Sequence, residues 1–147
     1  MHARGCNVIR LGIVGLPSSG KTTIYNMLTD STLPVGPLGT ATRFEVHTAT
    51  VDVPDSRLDH LTDLLSPQKK TYTKIIYTDI GGFQGEAQAT ELPGQVVNQL
   101  EQVDGLLHVV RIFDEPSAPH PMGSIDPERD ITALENEFIL HDMLMVE

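Results

Sequence analysis

Eight residues near the start of the chain, Gly15-Leu16-Pro17-Ser18-Ser19-Gly20-Lys21-Thr22, have the types and spacing of a loop that holds phosphate. Backbone N–H groups of such a loop, and of the helix after it, point at one spot and carry partial positive charge. Lys21 adds a full charge that can reach terminal phosphates, and Thr22 supplies a hydroxyl for Mg²⁺. Gly15 and Gly20 allow backbone conformations that a side chain would obstruct. A second constellation is Asp79-Ile80-Gly81-Gly82. An Asp at the C-terminal end of a strand can enter a Mg²⁺ shell, and a Gly three residues on can offer its N–H to a γ-phosphate. Each pattern alone has a plainer reading, a glycine-rich turn or a polar strand end. Their order and surroundings argue for a nucleoside-triphosphate site.

Those surroundings are strands and helices in alternation. Val8 to Val14 reads as a buried strand, and Lys21 to Asp30 as a helix with Ile24, Met27 and Leu28 on one face. Residues 31–40 are rich in Pro and Gly and read as a mobile loop. In switch proteins with a phosphate-binding loop, such a segment lends a Thr to Mg²⁺; Thr42 is the candidate, ahead of Thr40. Phe44 to Val53 reads as a half-exposed strand. Asp55 then caps a helix on which Leu58, Leu61, Leu64 and Leu65 repeat. Gln68-Lys69-Lys70 reads as a solvated basic turn. Thr73 to Thr78 is a second buried strand that delivers Asp79. A helix with Val96, Val97, Leu100 and Val103 follows, then a third buried strand over Leu106 to Phe113, in which His108 reads as a packing residue. Asp126-Pro127-Glu128-Arg129-Asp130 is a helix start with an Asp cap, Pro at the first position and acids in the first turn. The expected fold is α/β, three layers with a mostly parallel sheet and flanking helices.

Composition narrows the class. The 147 residues suffice for one domain with a real core. No apolar run is long enough to span a bilayer, and the first residues lack a signal peptide's apolar segment. The single cysteine, Cys6, rules out an internal disulfide framework, so a cytoplasmic setting is expected. A net charge of −10 repels nucleic-acid backbone overall. Any meeting with RNA is therefore expected through a local patch or a further domain.

At this level of detail the sequence resembles the nucleotide-binding domain of the YchF-type Obg-like ATPases, within the Ras-like superclass. The likeness is carried by Gly15-Leu16-Pro17 before Gly20-Lys21-Thr22, by Val53-Pro54-Asp55-Ser56-Arg57-Leu58-Asp59, by Asp79-Ile80-Gly81-Gly82, by His108-Val109-Val110-Arg111-Ile112-Phe113, and by His120 through Asp126-Pro127-Glu128-Arg129-Asp130-Ile131. It implies a G-domain fold that prefers ATP over GTP and works with ribosomes or translation. It also implies that residues 1–126 are the N-terminal part of that domain. Residues 127–147 would begin a helical insertion, with the base-reading motif and last strands beyond it, so the chain reads as a truncated piece. A sheet without its last strands would leave an edge open to a second copy. Phe83 stands where Ras-like proteins carry the Gln that orients water, and the family also has a hydrophobic residue there. Three departures stand out: Ser18-Ser19 in place of the family's Asn-Val, a poor match to its first switch around Thr42, and few glycines between Gln84 and Gly94. The first puts cation-assisted hydrolysis in doubt, and the last points to weakened switching.

The expected function is a Mg²⁺-dependent nucleoside triphosphatase acting as a switch on ATP or GTP. Gly15, Pro17, Ser18, Ser19 and Gly20 would form the phosphate loop, and Lys21 would hold the β- and γ-phosphates. Thr23 would lie near the α-phosphate. Thr22, Asp79 and Thr42 would serve the metal. Gly82 would sense the γ-phosphate, with Phe83 in the place of the missing Gln. The alternative is a nucleotide-binding scaffold without significant hydrolysis. A small-molecule kinase fits less well, because no Arg-rich lid follows the second strand.

Overall fold

The computed structural model describes residues 8–35, 46–81 and 94–146, the side chains of residues 144 and 145 excepted. Strand β1 (Ile9–Val14) lies inside a four-stranded sheet. It pairs in parallel with β3 (Thr73–Ile80) on one side and with β4 (Gly105–His108) on the other. Strand β2 (Val46–Val53) adds to β3 in the antiparallel sense, giving the order β2-β3-β1-β4. The sheet is thus mostly parallel, as the sequence suggested.

Register decides what each face carries. Ile13 lies opposite Asp79, and side chains alternate along a strand, so Val14 and Ile80 share the other face. On that face Val14, Ile80, Val96 and Leu134 form the buried core, with Leu100 and Phe138 packed against it. It joins helix α3 (Gly94–Leu100) and helix α4 (Pro127–Val146) to the sheet. The opposite face turns Asp79 toward helix α1 (Lys21–Thr29), whose Thr22 reaches it. Helices therefore flank both faces. The turn before β4 is fastened to β1 by a reciprocal pair: Arg10 N–H donates to Asp104 Oδ2 at 2.8 Å, and Asp104 N–H to Arg10 O at 2.8 Å.

Four expectations are corrected. Strand β3 ends at Ile80 rather than Thr78, which leaves Asp79 buried within its C-terminal end. Strand β4 stops at His108 instead of Phe113. Val109 N–H still donates to Val14 O at 2.8 Å, but the chain then leaves the sheet, and Ile112 is 78% exposed. Arg111 is therefore outside the strand. Helix α2 (Ser56–Leu65) buries none of its residues, and Leu61, Leu64 and Leu65 are exposed. It is held at its base by polar contacts instead. Asp55 accepts from the Arg57 N–H at 2.9 Å, and Asp59 accepts from the Tyr72 hydroxyl at 2.6 Å. Lys70, expected to be solvated, also reaches Asp59 at 2.6 Å.

Leu134→Ala is expected to lower stability to urea by about 2–5 kcal/mol, because it opens a cavity where α4 meets the sheet. Leu64→Ala, on the exposed side of α2, is expected to cost less than about 0.5 kcal/mol.

Candidate functional site

The site forms where β1 and β3 end side by side. Gly15 has φ 152° and Gly20 φ 99°, both in the left-handed half of the map. At Gly20 the requirement is conformational, since a Cβ there would meet nothing within 4 Å. At Gly15 it is also steric: a Cβ would sit 2.3 Å from the carbonyl oxygen of Val109. The loop is thus pressed against the segment that follows β4. Gly20 is the N-cap of α1 and supplies no side chain to it, and the first turn holds no acid. The helix's first N–H groups are left for an anion.

Lys21 and Thr22 begin that helix. The Lys21 ammonium donates to Leu16 O at 2.9 Å, and the Thr22 hydroxyl donates to Asp79 Oδ2 at 2.7 Å. Asp79 is buried, and its Oδ1 has no partner among the described residues; neither has the buried Ser19 Oγ. A buried carboxylate oxygen left bare is costly, and it fits a cation supplied from outside the chain. One hydroxyl and one carboxylate make the donor set of a hard, largely hydrated cation such as Mg²⁺, which takes its other oxygens from phosphates and water. The described residues hold no cluster of three or more His, Cys, Asp or Glu side chains that could hold a metal by themselves.

The structure thus brings together Gly15, Pro17, Ser18, Ser19, Gly20, Lys21, Thr22 and Asp79 around one point, with Thr23 exposed on the first turn of α1. Thr42, Gly82 and Phe83 lie outside the described residues. His108 is half-buried, and burial lowers its pKa, with Glu135 and Asp130 opposing and Lys21 reinforcing.

Two features next to the site were not foreseen. Arg111 is only 2% exposed and reaches back to Ser18 O. His120 and Asp130 form a buried pair at 2.8 Å, both side chains 4% exposed. Met122 N–H donates to His120 Nδ1, so Nε2 carries the proton and donates to Asp130. The signal for Arg111 was a single charge inside an apolar run. For the pair it was a His and an Asp on either side of a helix cap.

A sequence model described as "50S ribosome-binding GTPase" matches residues 10–146. The chain belongs to that family, on its YchF-type branch. It is similar to the "Ribosome-binding ATPase YchF" of Bacillus subtilis, 37% identical over 137 residues, which are 92% of this chain and 37% of that protein. It is also similar to "Obg-like ATPase 1" of rice (Oryza sativa subsp. indica), 34% identical over 95% of this chain and 35% of that protein. The solved structure of the Schizosaccharomyces pombe YchF GTPase matches with a TM-score of 0.58 and 29% identity, over 90% of this chain and 35% of that one. The chain spans a little over a third of these relatives. The family and the fold agree with the P-loop NTPase reading of the sequence.

Burial pushes the Lys21 ammonium down to about 8, with the Asp79 carboxylate opposing. Between that pH and the ordinary lysine value of 10.5, the unfolded chain holds a proton that the folded chain has released. Raising the pH through this window therefore favours the folded state. Without nucleotide, stability relative to Lys21→Met is expected to rise by up to about 3 kcal/mol across it. Urea unfolding of both proteins from pH 7 to 10.5 measures the difference; parallel curves would exclude a buried Lys21 charge.

Proposed function

We propose that this domain binds Mg²⁺ with a nucleoside triphosphate, ATP ahead of GTP, hydrolyses it slowly, and works as a nucleotide switch in translation. The observation that carries the reading is the buried Asp79, bonded to Thr22 through one carboxylate oxygen while the other has no partner among the described residues, beside the Lys21 ammonium at an uncapped helix start. Main-chain N–H groups from the phosphate loop and the first turn of α1 hold the phosphates. Lys21 leaves Leu16 O to neutralise the β- and γ-phosphates. Thr22 and Asp79 hold Mg²⁺, and Thr42 joins them; the ion, when bound, offsets charge on the phosphate oxygens. Thr23 lies near the α-phosphate, and Gly82 offers its N–H to the γ-phosphate. With Phe83 in the place of a water-orienting Gln, hydrolysis is slow.

The ribosome enters the proposal through the relatives named ribosome-binding ATPases, of which this chain spans a little over a third. Helix α4 is read as the start of a helical insertion, with residues 1–126 as the nucleotide-binding part. No helix among the described residues is long and apolar enough to cross a membrane, and the proposed setting is the cytoplasm. The outer edge of β4 has no hydrogen-bonded neighbour in the described sheet. An open edge offers its N–H and C=O groups to a second copy, so a dimer through β4 is part of the proposal. A clean monomer by light scattering at high concentration would remove it.

Calorimetry with Mg²⁺–ATP and Mg²⁺–GTP tests the central reading. Lys21→Ala is expected to weaken binding about ten- to a hundredfold, the loss of one charge-assisted contact. A folded wild-type chain that binds neither nucleotide would sink it. In single-turnover assays slow hydrolysis is expected; ATP held intact for hours would leave a nucleotide-binding scaffold instead.

A further inference from the structure

We infer that Arg111 is a positioning residue for the phosphate loop: it reaches the carbonyl of Ser18 and so keeps the loop, on whose Leu16 carbonyl Lys21 rests before nucleotide arrives, in its phosphate-binding shape. The inference rests on the nucleotide-site reading above. The guanidinium is buried, yet it makes no ion pair among the described residues. It spends its donors on main-chain carbonyls. Nε donates to Phe113 O at 3.0 Å, Nη1 to Ala118 O at 2.7 Å and to Ser18 O at 3.5 Å, and Nη2 to Glu115 O at 3.4 Å. A buried cation with no carboxylate in ion-pair contact, only the more distant charge of Glu115, is costly, and an apolar side chain would fill the same space more cheaply. What Arg111 adds is a rigid fork of donors and a full positive charge directly behind the phosphate loop.

Ser18 is the residue that needs holding. Its φ of 58° lies in the left-handed region, which a serine rarely adopts without support from its surroundings. In a trans peptide the C=O and the next N–H point in opposite directions. Fixing Ser18 O on one side therefore directs Ser19 N–H to the other, where it donates to Leu16 O at 3.3 Å. Leu16 O is also the acceptor on which Lys21 rests. A continuous set of contacts thus runs from Arg111 through one peptide plane to the phosphate-binding lysine. The same segment presses on the loop a second time, through Val109 O against Gly15.

The test is calorimetry with Mg²⁺–ATP and Mg²⁺–ADP on the full chain, paired with amide exchange of loop residues 15–20 without nucleotide. Arg111→Met is expected to weaken both nucleotides at least about tenfold and to speed exchange at Ser19, because the Ser18 carbonyl loses its donor. Arg111→Lys keeps the charge without the fork and is expected to fall within about threefold of Arg111→Met. Adding Ser18→Gly to Arg111→Met removes the strain and is expected to recover at least about fivefold in affinity, a coupling that general destabilisation would not produce. If Arg111→Met does not fold, Arg111→Lys alone and with Ser18→Gly are read in the same way. Binding within about twofold of wild type, full rescue by lysine, or no recovery with glycine would each overturn the inference. A wild-type chain that binds no nucleotide would defeat the nucleotide reading. Arg111 would then be judged by exchange alone, where unchanged protection at Ser19 would overturn it.

Discussion

A buried carboxylate with one oxygen bonded and the other without a partner among the described residues is the costly arrangement around which this domain is built. Thr22 and Asp79 meet at 2.7 Å although 57 residues separate them. Their meeting depends on the parallel register that sets Asp79 opposite Ile13, one residue before the last of β1. A slip of one residue in β3 would turn Asp79 onto the face occupied by Val96 and Leu134, an apolar core without a partner for it. The register is therefore held by apolar burial on one side of the sheet, and its product is a polar site on the other. The close approach of Val109 O to Gly15 adds a second condition, since the phosphate loop fits only with a glycine at its entrance.

The stretches that tie this chain to its family do two kinds of work. The phosphate loop and the Asp at the end of β3 make the site. The others are fasteners. Asp55 and Asp59 hold α2, none of whose residues is buried. Asp126 accepts from Arg129 N–H at 3.1 Å and starts α4, while His120 locks onto Asp130 one turn further on. Arg111 knits the crossover after β4 to itself and to the loop. These fasteners are polar and specific in geometry; Arg111 and the His120–Asp130 pair are buried, whereas the bonds of Asp55 and Asp126 lie at the surface.

Much of this was legible in the sequence because its signals are local. A glycine-bounded loop between an apolar strand and a helix announces itself, and so does an Asp at the end of a second apolar strand. What escaped was set by tertiary structure. The run from Leu106 to Phe113 reads as one strand by hydropathy, yet the chain leaves the sheet after His108 so that Arg111 can be wrapped by carbonyls. The leucines of α2 have helical spacing, but nothing among the described elements covers Leu61, Leu64 and Leu65. Hydropathy periodicity states that a face exists and says nothing of whether another element meets it. The buried pair of His120 and Asp130 depended on a fold-back between two positions that sequence spacing alone does not bring together.

In the function proposed, the Asp79 oxygen that has no partner among the described residues is there for a divalent cation held together with nucleotide. The most direct measurement is ATP affinity with Mg²⁺ and with EDTA, in the wild-type chain and in Asp79→Asn, which keeps the shape and removes the charge. Mg²⁺ is expected to tighten ATP binding to the wild type, and this gain is expected largely to disappear in the variant. An equal Mg²⁺ gain in both proteins would contradict it, and would mean that Asp79 is a structural anchor for Thr22 alone.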